Sequence, residues 1–216
     1  MNRSAFNRRA FLASSALAVA PLALPAAAFA QAQAPAPAVQ PIEALDNGLI
    51  AIMKAGSQHQ SFMQRYQMLK PVVEQAFNLP QILQISVGLE WSQIPAAQQA
   101  QLQQVFRQYT VAAYVHSFDG YNGQSFRILG ARPLGAQRIV DTELVPRSGD
   151  PTKLSYVMTN AGGQWKATDI LFNGTISKVA TQRSDFSSLV SPGNATRLIT
   201  ELQRKVAYLS GGALKS

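Results

Sequence analysis

Apolar residues of this chain recur every three or four positions up to Phe118, every second position between Ser125 and Phe172, and every three or four positions again up to Leu209. A three-to-four-residue spacing puts apolar side chains on one face of a helix, and a two-residue spacing puts them on one face of a strand. In the first stretch Leu45, Leu49, Ile52 and Met53 make one stripe, which Gly56 ends, and Phe62, Tyr66, Leu69 and Val73 make a second. Pro71 predicts a kink or a restart in that second helix. Phe77-Asn78-Leu79-Pro80 reads as a break, and a short segment from Ile82 to Val87 ends at Gly88. The longest helix opens at Ile94-Pro95. Its second half, through Val111, Tyr114, Val115 and Phe118, is apolar nearly all round, as expected of a helix buried between two layers.

Asp119-Gly120 and Asn122-Gly123 mark the change of period. Four strand-like segments follow, 125–129, 137–145, 153–159 and 164–172, joined by short connections rich in Gly and Pro. Connections of that length predict an antiparallel meander. Val140, Thr142 and Leu144 alternate with Ile139, Asp141 and Glu143, and Leu154, Tyr156 and Met158 alternate with more polar neighbours, so one face is apolar. Helical spacing resumes at Ile176, and Ser191-Pro192 opens a last helix that Gly211-Gly212 ends. The expected fold class is α+β: helical layers on a curved four-stranded antiparallel sheet, a cone that is either packed solid or open to a ligand.

The N-terminus reads differently. Residues 1–30 hold a basic head, an alanine-rich apolar middle and Ala28-Phe29-Ala30, with no acid. That is the pattern of a cleavable signal peptide, with cleavage expected after Ala30. Arg8-Arg9-Ala10-Phe11-Leu12 is similar to a twin-arginine export signal. Residues 31–41 are a Pro/Ala linker, expected to be extended. One domain is expected over 42–212, with 213–216 as a tail, in the periplasm of a bacterium. The whole chain carries a formal charge of +8. Without Arg3, Arg8 and Arg9, sixteen bases face eleven acids, which leaves +5 and no basic run. Nucleic acid is therefore not an expected partner.

Little catalytic material is present. With no Cys, thiolate metal sites and thiol nucleophiles are excluded, and the histidines are only His59 and His116. No metal or other cofactor is expected. Of the possible general bases, His116 ends the apolar helix and reads either as a rim or core residue or as a base. Asp169, inside the fourth strand, is either an isomerase-type base raised by burial or a residue that caps the next turn or pairs with Arg183. What the apolar residues support directly is burial of an apolar ligand. Each lipid methylene taken out of water is worth about 0.8 kcal/mol.

Four runs follow in order: Lys153-Leu154-Ser155-Tyr156, Gly163-Gln164-Trp165-Lys166, Asp169 through Ser177, and Gln182-Arg183-Ser184-Asp185-Phe186. With Phe106, Tyr109 and Tyr114, they resemble the MlaC-type periplasmic lipid carriers, also called the toluene-tolerance auxiliary family. Phe118-Asp119-Gly120-Tyr121 with Gly123-Gln124 and Phe126 is similar to the hopanoid-biosynthesis-associated branch, HpnM. The resemblance spans about Leu45 to Leu209. It departs from the family pattern at Asn173, usually aspartate, and at Ala167, usually valine.

The resemblance implies a non-catalytic shuttle that buries acyl chains between sheet and helices. It would carry phospholipid, or a hopanoid-like lipid, between an inner-membrane Mla-type ABC transporter complex and an outer-membrane lipoprotein complex. The expected lipid-binding residues are Tyr109, Phe126, Ile128, Val140, Leu144, Leu154, Tyr156, Met158, Ile170 and Phe172. Lys178 and Arg183 are expected near a headgroup. The alternative is an enzyme on the same cone, an isomerase or hydratase using Asp169 or His116.

Overall fold

The computed structural model describes residues 37–214; the expected signal peptide, its cleavage point and the start of the linker lie outside the described residues. Helix α1 spans Gln40–Ser57. It begins two residues before Ile42, and Ala38 and Val39 are already buried. The end of the expected linker is therefore part of the folded body, because its small apolar side chains find cover there. Ile42, Leu45, Leu49 and Ile52 form the fully buried stripe of α1. Gly56 is required where it stands, since a Cβ would collide with the carbonyl oxygen of Asp119.

Helix α2, Phe62–Ala76, is opened by a capping box in which Ser61 and Gln64 satisfy each other's backbone N–H. It runs through Pro71 as one helix, so of the expected kink or restart the restart does not occur. Pro71 lies on the exposed face, so the carbonyl that loses its intrahelical partner can turn to water. Asn78 caps α3, Leu79–Val87. A 3₁₀ turn, Gly88–Gln93, leads to α4, Ala96–Ser117, which packs against α2, α3 and α6.

Among the described residues the sheet has five strands, not four: β1 Ser125–Leu134, β2 Gln137–Val145, β3 Thr152–Ala161, β4 Gln164–Phe172 and β5 Ile176–Ser177. They pair antiparallel in chain order. β5 is two residues long, too short to carry any period, so the sequence reads it as helix. β1 is longer than expected because a bulge at Leu129, between Ile128 and Gly130, lets it pass through Arg132-Pro133 and still pair with β2. Asn173 takes positive φ at the β4–β5 turn, which asparagine tolerates. Helix α5 spans Lys178–Ser187, and α6 spans Thr196–Leu209. The last helix starts later than Ser191-Pro192, since Ser191 and Asn194 close a turn of their own first. The helices lie over one face of the sheet, and the α+β class holds.

Candidate functional site

Strand register sorts the apolar side chains of the concave sheet face into rows. Phe126, Leu144 and Thr152 are partners across β1, β2 and β3. Ile128, Thr142, Leu154 and Phe172 form the next row, and Ala131, Val140, Tyr156 and Ile170 the third. Arg138, Met158 and Ala167 follow.

The two ends of this face are covered differently. At the Met158 end, Phe77 forms a bridge to Ala167, and the N–H of Asn78 donates to the carbonyl of Ala167 at 2.9 Å. Lys166 Nζ donates to the carbonyl of Glu74 at 2.9 Å. These bonds hold the α2–α3 junction against β4, and Val140, Met158 and Ala167 are fully buried beneath it. Ala167 thus serves packing and does not enlarge a cavity.

Toward the Leu144 end, a half-open cavity of about 390 Å³ remains between sheet and helices. Its sheet wall is Phe126, Leu144, Leu154, Tyr156, Ile170 and Phe172, with Thr152 and Asp169 as the polar members. Its helical wall is one face of α4, from Phe106 through Tyr109, Thr110, Ala113 and Tyr114 to Ser117 and Phe118, joined by Leu49, Phe77, Leu79 and Ile82. Rings line it in sequence: Tyr156 to Phe77 at 6.3 Å, Phe77 to Tyr114 at 5.8 Å, Tyr114 to Phe118 at 6.1 Å and Phe118 to Phe126 at 6.2 Å. Burial pushes the phenols of Tyr114 and Tyr156 above their ordinary value, so both stay neutral.

The cavity brings together Tyr109, Phe126, Leu144, Leu154, Tyr156, Ile170, Phe172 and Lys178. Three residues expected there lie elsewhere: Val140 and Met158 are core under the α2–α3 junction, and Ile128 faces a groove between α1 and β1. Arg183 is outside the cavity as well, with its guanidinium packed over Gly88. Phe77, Tyr114 and Phe118 also line the wall; Tyr114 and Phe118 carry part of the family resemblance but are not among the expected lipid-binding residues, because an inward aromatic reads equally as core.

Of the two expected bases, Asp169 lines the cavity with its carboxylate already engaged, and His116 is not among the lining residues. The Asp169 carboxylate accepts from the backbone N–H of Ile170 at 2.7 Å, from that of Val179 at 3.0 Å and from the Ser177 hydroxyl. It fastens β4 to the start of α5 and does not pair with Arg183. His116 is exposed on α4, 6.3 Å from the Tyr208 ring.

A further acid is buried outside the expected site. Asp46 lies on the buried side of α1 at 5% exposure, and neither carboxylate oxygen has a hydrogen-bond partner among the described residues. Burial first, and the neighbouring Glu43 second, push it from the ordinary 3.8 to about 7. Its position is legible in the sequence, since Asp46 sits one turn from Ile42 and Leu49 on the apolar stripe.

A model of the MlaC protein family matches residues 43–204. Among solved structures, the chain resembles a phospholipid-binding protein from Ralstonia solanacearum, determined in complex with a phospholipid. The TM-score is 0.69 at 20% sequence identity, covering 81% of this chain and 99% of that one. This is a likeness of fold. No curated protein matches the chain. Three quarters of the residues fall within the family match, and the chain belongs to the MlaC family.

Proposed function

We propose that this chain is a non-catalytic lipid carrier, and that the cavity beneath Phe126, Leu144 and Phe172 holds acyl chains. The observation that carries the reading is the cavity itself. The sheet's apolar rows and one face of α4 stand apart and leave about 390 Å³ unfilled, within the usual range for small-ligand sites. Aromatic and aliphatic walls suit an apolar ligand, and the phospholipid held by the Ralstonia protein of the same fold supports a lipid. The engagement of Asp169 and the exposure of His116 speak against the isomerase or hydratase alternative.

The finer reading follows the sequence. Residues 1–30 act as an export signal and the protein works in the periplasm. It exchanges phospholipid with an inner-membrane Mla-type ABC transporter and an outer-membrane lipoprotein complex. Kinship with the HpnM branch makes a hopanoid-like lipid the second candidate ligand. Lys178, exposed at the rim, is placed to meet a headgroup phosphate.

The test is to purify the protein from a bacterial periplasm, extract it with organic solvent and identify the extract by mass spectrometry. Near-stoichiometric phospholipid or hopanoid is expected. An empty extract, with no uptake of labelled lipid from vesicles, would sink the proposal.

A further inference from the structure

Asp46 is an anomaly that the tail cavity does not explain. A buried carboxyl with no partner is costly, and native structures seldom keep one without a role for it. Its setting is specific. Asp46 forms part of a groove of about 410 Å³ between α1 and β1, along with Glu43, Asn47, Gln124 and Ser125. Phe126 lines both this groove and the tail cavity, so its ring is a partition between the two.

The groups that face Asp46 are few. Glu43 comes from α1 itself, Tyr114 from α4 and Tyr156 from β3. From β1 come the apolar Phe126 and Ile128, while Arg127 pairs with Glu143. No cation of the described residues is among them. Lys54, two turns further along α1, lies 5.2 Å over the ring of Tyr121 instead. Such a site repels phosphate and carboxylate groups. It accepts a hydrogen bond from a neutral donor, or an ionic one from an ammonium. The two ends of the site therefore differ in polarity: Lys178 stands at the cavity rim, while among the described residues acids alone carry charge in the groove.

We propose that the groove between α1 and β1 is a polar annex to the tail cavity, in which Asp46 receives a hydroxyl or ammonium group of a lipid whose apolar part lies beyond Phe126. This rests on the lipid-carrier reading and adds a substrate class to it: lipids with a hydrogen-bond donor next to the chain. Asp46 is then a specificity-determining residue.

Three single-chain probes separate the cases: methyl hexadecanoate, which has no donor; monohexadecanoylglycerol, which has hydroxyls; and hexadecylamine, which has an ammonium. Each is titrated into delipidated full-length protein and followed by displacement of a fluorescent lipid. The glyceride or the amine, or both, should bind about tenfold more tightly than the methyl ester, the effect of one well-placed hydrogen bond. Asp46→Leu should erase that advantage without weakening the ester. Asp46→Asn, which keeps the shape and guards against a folding defect, should lose the amine preference and retain part of the hydroxyl preference.

The pH dependence tells the two donors apart. Amine binding should strengthen as pH rises through about 7 and Asp46 ionises, whereas glyceride binding should not strengthen. Equal affinity for all three probes, or an advantage that survives in both variants, would overturn the annex while leaving a lipid carrier standing. Failure of all three probes to bind would overturn both.

Discussion

The two ends of the concave sheet face are built from the same kind of residue and come to opposite uses. Val140, Met158 and Ala167 are sealed under the α2–α3 junction, while Leu144, Leu154 and Phe172 border open space. Strand alternation is the same at both ends. What differs is the cover: at one end, hydrogen bonds from Asn78 and Lys166 hold helical chain against β4, and at the other, α4 passes over the sheet at a distance. An apolar face is thus necessary for either a core or a cavity, and the helix above it decides which.

The largest effect should come from breaking the sealed end. Met158→Ala leaves a hole where surrounding chain is tied in place, and should cost about 2–5 kcal/mol of stability. Thermal or urea unfolding would measure it. Lipid bound per folded molecule should stay near the wild-type value. If lipid occupancy falls while stability holds, Met158 belongs to the cavity and the division between the two ends is misplaced.

The Asp46 carboxyl makes the open half sensitive to pH. Its value is raised in the folded chain, so the folded chain binds more protons than the unfolded one between about pH 4 and pH 7. Stability should therefore fall as pH rises through that window and level off above it, by on the order of 2–4 kcal/mol. Asp46→Asn should remove this slope. Urea unfolding at the two ends of the window tests it, and an unchanged slope in the variant would mean that other groups titrate there.

At the open end the balance reverses. Leu144 is only partly buried, and Leu144→Ala should cost about 1–2 kcal/mol or less, because the lost side chain widens a space that is already there. Lipid retention should fall several-fold. Phe172→Ala, at a side chain that is 38% exposed, should act in the same way. A loss of stability as large as that of Met158→Ala would show that these residues are core after all.

How far this contrast could be read from sequence follows from what each pattern encodes. Alternation placed the β2 and β3 face correctly, and Gly and Asn turns placed the hairpins. Alternation also grouped Val140 and Met158 with Leu144 and Leu154, since nothing in a strand records which helix lies above it. A helix restart at Pro71 is a reasonable expectation from sequence alone, which does not show that Pro71 faces solvent. The two residues of β5 are too few for any period. Asp46 is the opposite case: an acid on an apolar stripe is visible in sequence, and only its lack of a partner needed the structure.

The smallest predicted effect concerns the rim. Lys178 and Arg183 were paired in the sequence as headgroup candidates, but only Lys178 lines the cavity, while Arg183 packs over Gly88. An exposed lysine meeting a phosphate gains little, about 0.3–1 kcal/mol, and salt screens it. Lys178→Gln should therefore lower affinity for phosphatidylglycerol by about two- to fivefold at low salt. It should leave binding of a neutral diacylglycerol unchanged, and the difference should fade at high salt. Arg183→Gln removes the same formal charge and should do neither. Uptake of labelled lipid from vesicles of the two compositions measures all four combinations. If the two variants weaken phosphatidylglycerol equally, net charge and not position governs the effect, and the rim at Lys178 is not where the headgroup sits.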